Sequence, residues 1–509
     1  MLLHGYLEES ARRRGDKVAL VQGASRLTFG EVDRRANQLA RVLVRRGVRR
    51  GDRVAILGEQ RLESVIAVWA TLKVGAVFMV VSRDVKEDKL AYILRDSGAR
   101  ALITSARLAG LVAAAAAKTT DLSAVIAFGG APPHLPGCSV DRWDEALASE
   151  DEAPVRSPAI DLDLASIIYT SGSTGEPKGV MLTHANMLAA AESITTYLGA
   201  REDDVVLDAL PLAFDYGLYQ VLMAARVGAT VVLEDGFAFP SAVLDTIERE
   251  GVTAFPGVPM MFAILLQMKS LEHDLSRVRY ITNTAAALPP AHIAPLRGIF
   301  PEARIFSMYG LTECKRCSYL PPEDLERKPG SVGVAIPNTE LWIENKAGVH
   351  LGPGEVGELV IRGATVMRGY WRKPDATALR LRPGPIPGEL VLHTGDLCKL
   401  DDEGYLYFVA RMDDIIKSRG EKVAPREVED ALYEMPGVRE AAVVGVPDPI
   451  LGEAVKAFVV VDPACMYVEG DIIAHCRARL EPFMVPKHVE LCEALPKTDT
   501  GKIKKSGLR

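Results

Sequence analysis

The chain has 509 residues, 48% of them hydrophobic and 25% charged, with a formal net charge of −7. That length exceeds what one compact core usually holds, so several domains are expected. The acidic balance gives no electrostatic case for a nucleic-acid or membrane-surface partner, although a nucleotide met by a few local groups remains open.

The first nine residues lack the basic start and long apolar core of a signal peptide. The apolar stretch 106–117 is too short to cross a membrane and is broken by Arg107 and Gly110. Seven cysteines are scattered along the chain, and only Cys314 and Cys317 form a C-x-x-C pair, with neither a second such pair nor a histidine cluster beside it. A cytoplasmic protein with reduced thiols, no structural zinc and no membrane insertion is expected.

Strand-like and helix-like segments alternate. Strands are expected at 53–57, 101–104, 124–127, 205–207, 230–233, 278–284 and 304–307. Helices are expected at 62–72, at 186–198 behind a Thr183 cap, and at 218–225. This is the pattern of α/β layers with much parallel sheet. From about Gly333 the texture changes to short strands at 341–343, 359–361 and 405–408 between Gly- and Pro-rich turns, predicting a smaller β-rich subdomain over 333–410. Past Arg411 a compact α+β pattern returns, with a helix at 427–434 and strands at 440–446 and 455–461. The expected architecture is a large N-terminal domain at 1–410, a connecting segment at 411–414 and a small, mobile C-terminal domain at 415–509.

Chemistry concentrates first at Thr170, Ser171, Gly172, Ser173, Thr174 and Gly175, followed by Lys178 and Gly179, directly after the apolar run 164–168. Glycines let peptide N–H groups turn toward an anion, hydroxyls add donors, and lysine adds a mobile charge, so the loop suits a polyphosphate. It is not the common G-x-x-x-x-G-K-[ST] nucleotide loop, because glycine follows Lys178. Read from its residues alone, a flexible surface turn is the alternative.

The order Tyr-Thr-Ser-Gly-Ser-Thr-Gly-x-Pro-Lys-Gly resembles the phosphate loop of the adenylate-forming (AMP-forming) ligase superfamily of acyl-CoA synthetases and peptide-synthetase adenylation domains. Three further segments resemble that family's signatures in the same order. Met308-Tyr309-Gly310-Leu311-Thr312-Glu313 implies Tyr309 packing on adenine, Thr312 donating to the α-phosphate and Glu313 holding Mg²⁺. His393-Thr394-Gly395-Asp396 implies Asp396 accepting from the ribose hydroxyls, with Arg411 as a second ribose contact. Pro496-Lys497-Thr498-x-x-Gly501-Lys502-Ile503 implies Lys502 bridging the acid's carboxylate and the departing phosphates, where two anions must be brought together. The resemblance also makes Asp413 a hinge and Gly420 part of a thiol channel, so that one site can exchange catalytic groups between two half-reactions.

For the acid, Phe214-Asp215 resembles the pair with which amino-acid adenylation domains hold an α-ammonium group, and a desolvated cation needs such a partner. Asp215 is also placed to cap a helix starting at Leu218. The rest of the implied pocket is Tyr216, Tyr219, Gly257, Ile281, Asn283, Met308 and Cys317, a small and mostly apolar lining. The run Glu313-Cys314-Lys315-Arg316-Cys317 resembles stand-alone ligases that activate L-proline for a separate carrier protein, and it also resembles some acyl-CoA ligases associated with export systems; its Lys315 and Arg316 are either solvated or face phosphate or the acceptor. The expected function is therefore ATP-dependent activation of a small amino acid, proline in particular, with transfer to the phosphopantetheine thiol of a separate carrier protein, since the chain ends soon after Lys502. An acyl- or aryl-CoA ligase using CoA is the first alternative. A non-catalytic nucleotide-binding protein is the second.

Overall fold

Residues 54–57 are apolar without interruption, as in a strand covered on both faces. The strand Arg53–Gly58 accordingly lies inside a sheet, parallel to Val77–Ser82 on one side and to Ala99–Ser105 on the other. The structure is a computed structural model describing all residues except 171–175, 269–271, 285–287, 289, 413, 419–420, 449–451, 499–502 and 509.

Among the described residues the strands form four sheets. An eight-stranded sheet contains Arg53–Gly58 and ends on the hairpin Leu164–Thr170 with Lys178–Thr183, whose outer edge is covered by the short strand Gly369–Tyr370. A nine-stranded sheet has at its centre parallel strands Arg304–Tyr309, Tyr280–Asn283, Ala254–Gly257, Val205–Asp208, Thr230–Leu233 and Val18–Gln22. The helix Leu62–Val74 is buried continuously from Ser64 to Val74 and touches strands of both sheets. A helix apolar on all sides belongs in such an interior. Its one charged member there, Lys73, is met by Glu8 at 2.7 Å and Asp33 at 2.9 Å.

A third sheet joins Thr339–Glu344, Gly357–Gly363, Leu381–Pro383, Leu390–Leu400 and Leu406–Arg411. The fourth begins at Ile416 and packs its strands against the helices Pro425–Tyr433 and Glu469–Arg477 around a core of its own, from Ile416 to Val489. The fold class is thus a large N-terminal layered α/β body with a β-rich part, followed by a smaller α+β C-terminal domain. The break between the third and fourth sheets falls at 411–416, around the expected connecting segment. Asp413 itself lies outside the described residues.

Local signals hold where they are strongest. Thr183 caps His184–Leu198, its hydroxyl accepting from the Asn186 N–H while the Asn186 side chain accepts from the Thr183 N–H. The helix expected at 218–225 instead spans Asp215–Val227, so Asp215 lies in its first turn. The flanking Phe214 offers no side-chain cap.

Candidate active site

Four neighbouring parallel strands of the nine-stranded sheet end at Asp208, Gly257, Asn283 and Tyr309. Open α/β sheets bind ligands beyond such carboxyl ends. There the chain turns through residues 310–317, folded so tightly that a Cβ on Gly310 would meet the Lys315 carbonyl oxygen at 2.1 Å. The Cys317 N–H closes the loop onto the Tyr309 carbonyl at 3.1 Å. Thr312 is half-buried in this turn. No helix follows it; the next element is the strand Ser318–Leu320.

Thr170 and Lys178 are register partners at the mouth of the hairpin, with the Thr170 hydroxyl 3.4 Å from the Lys178 carbonyl. Ser171, Gly172, Ser173, Thr174 and Gly175 lie outside the described residues. The Lys178 ammonium sits 5.5 Å from the Tyr370 ring centre. The Tyr370 hydroxyl donates to Glu313 Oε1 at 2.7 Å, and the Met367 N–H donates to the Glu313 carbonyl at 2.8 Å. Tyr370 thereby ties the loop after Tyr309 to the hairpin that carries Lys178. Burial and the Glu313 charge push the Tyr370 phenol up, so it stays a donor. A half-buried carboxylate held this way by Tyr370, whose ring Lys178 also approaches, offers the hard oxygen that Mg²⁺ prefers, so Glu313 fits the expected metal ligand.

Asp396 is the register partner of Arg411, and the Arg411 Nε lies 3.0 Å from Asp396 Oδ1. The Tyr309 phenol donates to the other oxygen, Oδ2. Asp396 is 1% exposed, and its Oδ1 makes no hydrogen bond. Burial raises its carboxyl above the usual range, while Arg411 and Tyr309 pull it back down. A buried carboxylate oxygen with spare acceptor capacity is what a ribose hydroxyl needs. The preceding Gly395 has φ of 71°, and a Cβ there would strike Arg380 Nη1 at 2.0 Å. Its N–H is held by Glu358 at 3.0 Å. Tyr309 meets Phe408 with ring centres 6.0 Å apart, and Phe408 belongs to the strand Leu406–Arg411.

The residues expected around the acid come together between the helix Asp215–Val227 and the strand ends. Gly257 and Asn283 are register partners, and so are Asn283 and Ser307, the residue before Met308. The Tyr216 hydroxyl donates to the Thr282 carbonyl at 2.9 Å, and Tyr197 donates to Met308 Sδ at 2.9 Å. Ile281, Asn283, Met308, Tyr216, Tyr219 and Cys317 are all buried. Phe262 packs on Gly257, within 2.6 Å of where a Cβ would stand. Burial raises the Cys317 thiol well above its ordinary range, which leaves it a neutral lining group.

Asp215 already has a cation beside it. Lys315 Nζ reaches its Oδ2 at 3.5 Å, with both residues buried. Lys315 takes φ of 66° to turn inward and lies 5.3 Å from the Tyr219 ring centre. Arg316 is buried beside it, over the Tyr216 ring at 4.7 Å. Neither cation is solvated. Lys315, Arg316 and Tyr370 escaped the expected site; for Lys315 the signal was present, a lysine next to the Tyr-Gly-x-Thr-Glu run, but its partner lies 100 residues earlier. Lys502, Gly420 and Asp413 fall outside the described residues.

The family model of AMP-binding enzymes matches residues 7–371, and that of the AMP-binding enzyme C-terminal domain matches residues 427–502. The chain belongs to the AMP-binding enzyme family. Feruloyl-CoA synthase from Amycolatopsis sp is 37% identical over 503 residues, covering 98% of this chain and 96% of that protein. Long-chain-fatty-acid–CoA ligase from Bacillus subtilis (strain 168) is 33% identical over 529 residues, covering 98% and 93%. The crystal structure of the anthranilate CoA ligase AuaEII with anthranoyl-AMP superposes with a TM-score of 0.91 at 29% identity, covering 100% of this chain and 96% of that one. This AMP-binding enzyme is an ATP-dependent, adenylate-forming ligase. The expected proline subtype and carrier-protein acceptor find no counterpart in these relatives, whose names are those of CoA ligases. Among the described residues no helix is long and apolar enough to cross a membrane.

Proposed function

We propose that this AMP-binding enzyme is an acyl-CoA ligase for a carboxylic acid without an α-ammonium group. A carboxylate oxygen of the acid attacks the α-phosphorus of ATP, the bond to the β-phosphate breaks and pyrophosphate leaves. The thiol of CoA then attacks the acyl carbonyl, gives up its proton, and AMP departs with the pair of electrons of the broken bond. The observation carrying this choice over amino-acid activation is the buried pair of Asp215 and Lys315 at 3.5 Å. The carboxylate needed for an ammonium ligand is already matched, and a third cation beside Lys315 and Arg316 would be repelled. The CoA ligases among its relatives support CoA over a carrier protein.

In this reading the loop 171–175 and Lys178 hold the phosphates, Tyr309 flanks adenine, and Asp396 with Arg411 takes the ribose. Thr312 donates to the α-phosphate. Glu313 holds Mg²⁺, which screens phosphate charge when bound. Lys502 brings positive charge to the meeting carboxylate and phosphate, the residues around Asp413 let the small domain turn, and Gly420 lines the thiol's path. The test supplies the enzyme with ATP, Mg²⁺ and CoA and a panel of carboxylic acids and amino acids, reading pyrophosphate release and loss of free thiol. Acids lacking an amine are expected to drive both. Pyrophosphate exchange with proline alone, with no thiol consumed, would overturn the proposal.

A further inference from the structure

The loop 310–317 has two ends with separate contacts. Glu313 faces Tyr370 and the hairpin of Lys178. Arg316 faces the other way, into the helix Asp215–Val227 and the strand ends, where its charge acts on Tyr197, Tyr216 and Tyr219. Arg316 is 6% exposed. Its Nη1 donates to the Lys315 carbonyl at 3.1 Å, but its Nε is buried without a hydrogen-bond partner. The Tyr219 hydroxyl, on a residue 2% exposed, is likewise without one.

The charges do not balance. Lys315 and Arg316 are two cations, and Asp215 pairs with Lys315. Among the described residues no carboxylate lies at ion-pair distance from Arg316. Asp208 is fully buried and occupied elsewhere: it accepts the Leu210 N–H at 3.3 Å and makes no ion pair with Arg316. An arginine carried into an interior without an anion loses its hydration with nothing to repay it. The guanidinium Nε and the phenol both lack acceptors, and the Arg316 charge acts on Tyr219, so the two groups are complementary to a carboxylate.

We propose that Arg316 and Tyr219 form a recognition subsite for a second carboxylate, so that the acid activated here is a small dicarboxylate gripped at its far end. This rests on the acyl-CoA ligase reading and sharpens its substrate class. The second carboxylate supplies the missing negative charge and accepts from Arg316 Nε and the Tyr219 hydroxyl. The first remains free to attack ATP near Thr312 and Glu313. A neutral tail leaves both donors buried and unmet, which is the situation in which a hydrogen-bonding site discriminates strongly.

The test compares α,ω-dicarboxylates from malonate to adipate with their monomethyl esters, first by ATP–pyrophosphate exchange and then by CoA thioester formation. The wild type is expected to favour at least one dicarboxylate over its ester by about 100-fold in kcat/KM. Arg316→Gln is expected to bring that ratio within about threefold, mainly through KM for the dicarboxylate, with KM for ATP little moved. Tyr219→Phe, which removes only a hydroxyl, is expected to lower the ratio by about five- to tenfold, and it keeps the subsite testable should Arg316→Gln not fold. Equal wild-type turnover of diacid and ester would overturn the subsite, as would an Arg316→Gln effect equal for every acid and for ATP. Dicarboxylate-driven exchange without a CoA thioester would leave the subsite standing and overturn the CoA reading. Thioesters formed with no diacid preference would do the reverse.

Discussion

The Tyr309 phenol donates to the Asp396 carboxylate across the junction between the nine-stranded sheet and the sheet that ends at Arg411. One residue ends a parallel strand, the other sits next to a left-handed glycine, and on the roles proposed for them the contact sets the ribose site relative to the adenine site. Hydrogen bonds to a charged group are each worth roughly 1.5–3 kcal/mol. Asp396→Asn should therefore raise KM for ATP about ten- to hundredfold while leaving KM for the acid within about threefold. Steady-state kinetics with each substrate varied would check this. An equal rise in both constants would mean that Asp396 supports the fold rather than the nucleotide.

Tyr370 holds Glu313 from a strand 57 residues away. Tyr370→Phe keeps the ring under Lys178 and deletes the donor. The adenylation rate is expected to fall about tenfold, and the Mg²⁺ concentration giving half-maximal rate to rise, as a charge-assisted bond that oriented the carboxylate is lost. Unchanged Mg²⁺ dependence would separate Glu313 from the metal.

Removing one member of a buried ion pair strands the other. Lys315→Met should destabilise the protein by about 3–5 kcal/mol, and Asp215→Leu by a similar amount, while the double variant should recover much of the loss. Urea unfolding of the four proteins measures the coupling. Additive losses would show that the 3.5 Å pair contributes no interaction energy of its own.

His4 and His184 are buried with their rings nearly perpendicular, centres 6.2 Å apart, and His184 Nδ1 accepts the Leu3 N–H at 3.1 Å. Burial, aided by Lys73 for His4 and by His4 for His184, lowers both from 6.5 to about 4. Above pH 6.5 both are neutral, folded or unfolded, and contribute no pH dependence. As pH falls below 6.5 the unfolded chain takes up protons that the folded chain refuses, so stability is lost down to about pH 4. The loss by pH 5 is on the order of 2 kcal/mol per histidine. His184→Asn keeps an acceptor for the Leu3 N–H and should flatten the decline between pH 7 and 5. Parallel declines in the two proteins would contradict this account.

For Lys502→Ala, adenylation is expected to fall by at least about a thousandfold, the range seen when charge stabilisation is removed from a transition state. Thioester formation from preformed acyl adenylate should persist. Single-turnover assays of each half-reaction read the difference, and equal loss of both would refute the division of labour.

The elements legible in the sequence were those written in local chemistry. Thr183 announced the helix behind it, the apolar run at 53–57 its central strand, and Tyr309, Asp396 and Arg411 the group that meets at one junction. What stayed illegible was pairing over distance. Nothing near Glu313 indicates that Tyr370 will reach it, and nothing near Asp215 indicates that Lys315 will turn inward at a left-handed φ to meet it. Such contacts depend on how loops pack once the sheets exist, and no periodicity encodes them. The ammonium reading of Asp215 came from a local resemblance, and Lys315, remote in sequence, stands 3.5 Å from the same carboxylate.

Because Gly310 lets the segment double back, side chains only three positions apart, Glu313 and Arg316, serve opposite neighbourhoods while sharing a single short tether. Residue 316 can therefore be varied without touching the Glu313 contacts, whereas 315 cannot be varied alone, because it carries the buried partner of Asp215.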